Sequence, residues 1–458
     1  MKKIIILVVL LIAIVAALPI IGNSVVKEKL DTRISELKQY GIKTKTDETH
    51  STYLNTSRHF EFVLEDSQEF IAYLNKYSDQ QIPPYVNSML DGVVIGADIE
   101  YANFPLSKAI SVELYPLSLS KTASQNLQKS NNKFYKYLDA FLKQKGVLYH
   151  INYDLATSSF SGYIKDINES YTLEDNVRLN VKLSKAIFDG KGDLIAPTAL
   201  TSEVKELHFE IVKDGEEMIF DLNDFSSTSS FESQTTYLTS AELKSFKMIV
   251  SASGSDFDVK MDKIRMNASS NTQGEYAELN SKTSLEALTL NSKELSFNMK
   301  NFNFDIAANG VNKEAFEELR VLFANKNIAS SPALEEKLRE SLLKLLSKGF
   351  VINIAEYSLE NLTLNATQDL KGFDIKSTIT IKEDPSLAQK IKMSPLLAIA
   401  NLNLKTDIKI SQEMYTKLTE ANPMSSQLSK YAVMEKGNVV FLINFIDGKL
   451  SVNGKALR

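Results

Sequence analysis

The first apolar stretch, Ile4 to Ile21, follows Met1, Lys2 and Lys3 and contains no charged or polar side chain. A helix rises about 1.5 Å per residue, so this run is about 27 Å long, close to the hydrocarbon thickness of a bilayer. The pattern predicts a transmembrane anchor over 1–21. A cleaved signal peptide would have a shorter apolar region and a small-x-small site, of which Val15-Ala16-Ala17 is a weak version. The two lysines ahead of the run put the N-terminus in the cytoplasm and the body on the far side of the membrane. Val26, Leu30, Ile34 and Leu37 then recur at helical spacing and Gly41 supplies a helix stop, which predicts a helical stalk over 22–45.

From about Ser51 the period changes to two, the signature of strands with one apolar face. Between Leu207 and Leu222, an Asp214-Gly215 turn sets Ile211 opposite Met218, Phe209 opposite Phe220 and Leu207 opposite Leu222. An Asp447-Gly448 turn likewise sets Phe445 opposite Leu450 and Ile443 opposite Val452. A third hairpin turning near Lys371-Gly372 would match Leu364 with Ile379 and Leu362 with Ile381, at the cost of facing Asp369 with Asp374. The apolar residues Leu295, Phe297 and Met299 are odd-numbered while Phe302, Phe304 and Ile306 are even, so a bulge near Lys300-Asn301 is expected to absorb the slip.

Each hairpin is apolar on one side only, so helices are expected to cover that side. Three candidates begin alike, at Ser67, Asn312 and Ser411, each with a Glu two residues on and bulky residues at offsets four and seven. Each follows an alternating strand, which suggests a recurring strand-then-helix unit; the competing reading is ordinary resemblance among capped helices. Longer helices are expected from Ala123 to Lys145, ended by Gly146, and from Pro332 to Lys348, ended by Gly349, with Ser331 as cap. The resulting class is α+β. The segments are an anchor (1–21), a stalk (22–45), a strand-rich body with early helices (46–300) and a strand and helix body (301–458) that can be continuous with it. The body is an elongated, twisted, mainly antiparallel sheet with short helices packed on one face.

Composition narrows the chemistry. The chain of 458 residues has no Cys, which excludes disulfides, thiolate metal sites and cysteine nucleophiles. Its net charge of −5 gives no basic field to gather nucleic acid. The four histidines, His50, His59, His150 and His208, form no HxH, HExxH or HxxxH spacing, and His59 and His208 alternate with apolar residues, so both belong on polar strand faces. No GxSxG elbow is present. Gly448 to Lys455 lacks the spacing and the hydroxyl of a phosphate loop. Asp256, Asp258 and Asp262 share one strand face with Lys260, which occupies a position where an EF-hand needs a ligand, so a solvated strand is the better reading. No residue is nominated as catalytic, cofactor-binding or metal-ligating.

The lysine-flanked span, Tyr101-Ala102-Asn103-Phe104-Pro105-Leu106, the strand from Asn353 to Asn365 with Tyr357-Ser358-Leu359-Glu360-Asn361, and the closing Phe441 to Gly454 hairpin together resemble the YdgA-like family of bacterial inner-membrane-anchored proteins. The family tends to have His-Gly-Pro where this chain has Tyr-Ala-Asn, so the resemblance is to a divergent branch. It implies a single inner-membrane anchor and a periplasmic body, and it transfers no catalytic residue. The functional expectation is a non-enzymatic envelope protein, a binding or scaffold protein that holds a lipid or another hydrophobic partner against an apolar sheet face. Two alternatives are an envelope hydrolase using a dispersed carboxylate pair and an interaction partner acting through exposed strand edges.

Overall fold

A computed structural model of the chain describes residues 34–457, apart from 53–54, 78–85, 103–108, 174–175, 193–196, 234, 253–254, 325–331, 366–368 and 422–428. The expected anchor, the first half of the expected stalk (22–33), Ser331 and residues 103–106 lie outside the described residues. Among the described residues no helix is long and apolar enough to cross a membrane. The chain divides into two units, Met1–Thr228 and Ser229–Arg458.

In the first unit a helical turn over 34–38 ends at Gly41, whose φ of +77° suits the left-handed conformation that stops a helix. Ile34 and Leu37 are buried in the core of this unit, so the described end of the expected stalk packs into the body. Strands β1 (Ile42–Ser51), β2 (Asn55–Leu64), β3 (Val94–Ala102), β4 (Ala109–Pro116), β5 (Tyr149–Asp154) and β6 (Ser159–Ile164) follow, each antiparallel to the one before. Strand β8 (Arg178–Gly192) is long enough to pair with both β6 and β7 (Ile167–Thr172), which lie end to end along it. Strands β9 (Pro197–Lys213) and β10 (Glu216–Phe231) complete the series.

Four helices, α1 (Ser67–Tyr77), α2 (Asn87–Leu90), α3 (Lys121–Ser130) and α4 (Asn132–Lys143), cover the apolar side of this sheet. Phe70, Leu90, Leu127 and Leu142 from the helices share one buried cluster with Phe60, Ile99, Val112 and Ile151 from the strands. The single helix expected over 123–145 is in fact two. Asn131 adopts extended backbone between them and its side chain accepts a hydrogen bond from the Phe134 N–H, so the Ser-Asn-Asn sequence starts a second helix instead of extending the first. The cap of α1 is also displaced by one residue. The Asp66 carboxylate, not Ser67, accepts from the Gln68 and Glu69 N–H groups, while the Ser67 hydroxyl is buried against Asn87.

Two glycines in this sheet serve neighbouring rings. Gly162 lies opposite Phe188 and Gly190 opposite Phe160, and a Cβ at either glycine would come within 2.4 Å of the facing ring. The aromatic side chain fills the space that its glycine partner leaves on the sheet.

In the second unit, strands β11 (Tyr237–Ala252), β12 (Ser255–Gln273), β13 (Tyr276–Ser292), β14 (Ser296–Asn312), β15 (Phe350–Leu364), β16 (Leu370–Ile381) and β17 (Leu402–Ser411) run as a continuous antiparallel meander. Strand β17 pairs with β19 (Asn438–Ile446), whose other edge takes β18 (Val433–Glu435) and β20 (Lys449–Val452); the two-residue β21 (Lys455–Ala456) pairs with β20. Helices α5 (Lys313–Ala324) and α6 (Pro332–Ser347) connect β14 to β15, α7 (Leu387–Met393) lies between β16 and β17, and α8 (Gln412–Ala421) follows β17. Asn312 and Ser411, each the last residue of a strand, cap the next helix by accepting from the Ala315 and Met414 N–H groups. Gly349, with φ of +67°, follows the end of α6.

Both Asp-Gly turns have the two positive φ values that a two-residue hairpin needs, at Asp214 and Gly215 and at Asp447 and Gly448. The predicted C-terminal register is observed, with Ile443 opposite Val452 and Phe445 opposite Leu450. For the first hairpin, contacts of Ser202 with Ser227, Lys205 with Asp224 and His208 with Asp221 fall on the predicted register. The third hairpin differs. Its strands pair Leu362 with Leu370 and Ile352 with Ile379, so the turn lies between Leu364 and Leu370 and Gly372 is inside β16. A Cβ on Gly372 would stand 1.7 Å from the Leu359 carbonyl oxygen, so the glycine permits close approach of two strands and does not make the turn.

Candidate functional site

The second unit gathers its apolar side chains on one sheet face. One cross-strand line runs Ile264, Leu285, Phe302, Leu359, Phe373, Ile410 and Val439, from β12 to β19 without a polar interruption. A second runs Met261, Leu288, Met299, Leu362 and Leu370. Tyr357 packs edge-on to Phe302, Phe304 and Phe373, with centroids 6.0, 5.7 and 5.0 Å away. The opposite face of the same strands carries Lys300, Asn361 and Lys371 in one line and Asn303, Ser358, Asp374 and Lys409 in another.

One row keeps the two lines on the same side. Met261 and Ile264, Leu288 and Leu285, Met299 and Phe302, Leu362 and Leu359, and Leu370 and Phe373 are each three residues apart, where strict alternation would place them on opposite faces. The extra residue in each strand is Lys263, Glu286, Asn301, Glu360 and Gly372. Lys263 and Asn301 adopt positive φ, and the row is held by a 2.5 Å Lys263–Glu286 ion pair and a hydrogen bond from Asn301 to Glu360. Asn301 is the position where the sequence places a slip. Because every strand slips at the same row, Met299, Phe302, Leu359, Leu362, Leu370 and Phe373 all join one cluster.

Helices cover little of this face. Its fully buried cluster comprises Leu359, Ile410, Met414, Val439, Phe441 and Val452, with Met414 contributed by α8. The other residues of the two apolar lines are half-buried, and beside them Met266 reaches 52% and Leu364 38% exposure. An apolar surface that continues over seven strands exceeds the scattered exposure normal for a soluble domain.

The outer face of the first unit holds a different arrangement. His59, Asp98, Glu113 and His150 stand side by side on β2 to β5. Asp98 is the hub: His59 Nδ1 lies 2.6 Å from one oxygen, and Lys145 Nζ and the Tyr115 hydroxyl donate to the other at 2.6 and 2.9 Å. Lys145 also donates to Glu113 at 2.6 Å and sits 4.4 Å over the Tyr115 ring. Gly96 faces Tyr115 across β3 and β4, and a Cβ there would be 2.3 Å from the ring. Burial raises the Asp98 carboxyl, but hydrogen bonds from Lys145, His59 and Tyr115 outweigh it and hold it below the ordinary aspartate value. Burial and then the Asp98 carboxylate push the Tyr115 hydroxyl well up. Lys145 occupies the left-handed position after α4, with φ of +54°, where a glycine is usual; Gly146 N–H bonds to Phe141 O and Lys145 N–H to Leu142 O, closing the helix end.

A carboxyl held below its ordinary value of 3.8 contributes stability that is present at neutral pH and disappears as acid protonates the folded state. Lys145→Met is therefore expected to cost about 1 kcal/mol at pH 7 and to flatten the fall in melting temperature below about pH 4. Melts from pH 2 to 7 followed by circular dichroism check this; identical pH profiles for the two proteins would contradict it.

The histidines expected on polar faces are there, yet His59 and His150 have partners that no local spacing shows. His150 is 4.0 Å from Glu113 and His208 is 2.5 Å from Asp221. The Asp256 to Asp262 strand is paired locally, Asp258 with Lys260 at 2.7 Å and Asp256 with Ser251 at 2.6 Å. Among the described residues no group of three or more His, Asp or Glu is placed to hold a metal ion.

A long antiparallel sheet, helix-covered in one unit and apolar but largely uncovered in the other, defines a β-rich protein class with a few short helices. A family described as bacterial proteins of unknown function (DUF945) matches residues 169–458, and the chain belongs to that family. The matched residues include the whole apolar face, whereas the Asp98 cluster precedes them. No curated protein matches the chain, and no solved structure matches it.

Proposed function

We propose that the second unit holds the acyl chain of a lipid on its apolar sheet face, and that the protein is a non-enzymatic binding or scaffold protein of the bacterial envelope. Residues 4–21 anchor it in the inner membrane with its body in the periplasm, in line with its resemblance to the YdgA-like branch. The observation that carries the reading is the unbroken apolar line from Ile264 to Val439, half-open along most of its length. Along its two apolar lines the face offers aliphatic, thioether and aromatic side chains, which suits a chain that makes no directional bonds, and the Ser377 and Thr406 hydroxyls beyond them bond to each other. The Asp98 and Glu113 pair gives little support to a carboxylate hydrolase, because Lys145 clamps both and Asp98 stays ionised where such chemistry needs a proton donor. Native mass spectrometry of the full chain, purified in mild detergent, tests the reading. Co-purified phospholipid or fatty acid near one per chain is expected; a lipid-free protein whose face is closed by a second copy would overturn it.

A further inference from the structure

The outer face of the first unit contains a trough. Ser57, Glu100, Ser111, Asn152, Ser161 and Asp189 are paired neighbour to neighbour on six adjacent strands, forming one straight row. Two cavities open along it, one of about 550 Å³ bordered by Ser57, Glu100 and Ser111, the other of about 390 Å³ bordered by Asn152, Ser161 and Asp189. The floor is low at Ser57, Ser111 and Ser161, whose side chains are short. The His59, Asp98, Glu113 and His150 line, braced by Lys145, stands beside it as a wall two residues away along the strands.

The lining selects a ligand class. Strands lie about 4.8 Å apart, so the row presents one hydroxyl, carboxyl or amide group at each such step. That period is close to the length of one sugar unit in an extended glycan. Hydroxyl groups both donate and accept, and the row alternates groups able to do each. In the wall line, opposite His150 and two residues from Ser161, Tyr163 is stacked on His150 at 4.9 Å and is 41% exposed, a surface for the C–H face of a sugar ring. Other classes fit worse. Lys145 is already bound to Asp98 and Glu113 and Arg58 to Asp47, so the lysine and arginine bordering the first cavity are paired with carboxylates, while Lys191 and the apolar Tyr153, Phe160 and Leu200 border only the second.

We propose that this face binds an extended glycan strand, laid across β2 to β8 along the Ser57-to-Asp189 row with one sugar ring on Tyr163. The site shares no residue with the apolar face of the second unit and stands or falls separately from it.

Isothermal titration of the full chain with chitohexaose and cellohexaose, and co-sedimentation with purified peptidoglycan, test the proposal. At least one probe is expected to bind, and Tyr163→Ala and Ser111→Trp are each expected to weaken it by roughly tenfold or more. Both positions are on the surface, so melting temperatures should stay close to that of the parent. Failure of all three probes to bind, or binding that survives both substitutions, would overturn the proposal. So would binding of spermine in place of glycans with an affinity abolished by salt, which would mark the trough as a site for cations.

Discussion

Aspartates at both Leu288 and Met299 are expected to strip the acyl chain from the protein while leaving it folded. The two residues face each other on β13 and β14, in the second apolar line of the second unit, and both are half-buried. A bound acyl chain would cover both carboxylates with no partner to offer them, a cost of several kcal/mol that binding cannot recover. In the ligand-free protein the same groups remain at a wetted surface. Their mutual repulsion and the lost apolar contacts then cost only about 1–2 kcal/mol. Native mass spectrometry should show bound lipid reduced by roughly tenfold or more, with far-ultraviolet circular dichroism preserved. Thr289→Asp with Asn298→Asp, the neighbouring pair on the polar face, provides the control and should retain lipid. Equal loss in both double variants would point to general destabilisation.

Phe60→Ala should have the largest effect on the first unit. The ring has 0% exposure, stacks on Phe62 at 5.5 Å and lies 4.6 Å beneath the Arg58 guanidinium, in the cluster shared by the sheet and its helices. Removing a buried phenyl ring costs about 3–5 kcal/mol when the surroundings relax only partly. Here the helices hold the cavity open from one side and the β-ladder from the other. Urea unfolding followed by fluorescence of the tyrosines measures the change. A loss below about 1 kcal/mol would show that the helices collapse onto the vacated space, and that the face is less tightly covered than its burial indicates.

Much of the fold was legible because its signals were local. The Asp214-Gly215 and Asp447-Gly448 turns coincide with matched apolar registers, so turn chemistry and alternation specify the same pairing. The parity change around Asn301 revealed a bulge for the same reason, since one extra residue reverses every later side chain. The hairpin at Lys371-Gly372 was misplaced because a glycine can serve a turn or a close strand approach, and only the Leu359 carbonyl on another strand decides between them. The break after Ser130 was hidden because α3 and α4 continue a helical apolar period on both sides of Asn131.

The two surfaces differ in how far sequence could reveal them. The apolar face was expected as a property of each hairpin, whereas its continuity depends on five strands slipping at one row, which requires the registers of all five. The Asp98 cluster was missed altogether. His59, Asp98, Glu113, Lys145 and His150 are brought together by three antiparallel pairings and a helix end, and no pair among them has a motif spacing. Residues two apart on a strand share a face, but which faces meet is decided across strands. The His208 and Asp221 pair was the exception, already implied by the register of the first Asp-Gly hairpin.

The most direct test of the account is photo-crosslinking of the full chain with a diazirine-bearing palmitate, mapped by peptide mass spectrometry. Saturable labelling confined to apolar-face positions such as Met261, Leu288, Met299, Phe302 and Tyr357 is the result the account predicts. Labels concentrated on Asn298, Lys300, Asn303 and Lys371 of the opposite face, or no saturable label within the second unit, would contradict it.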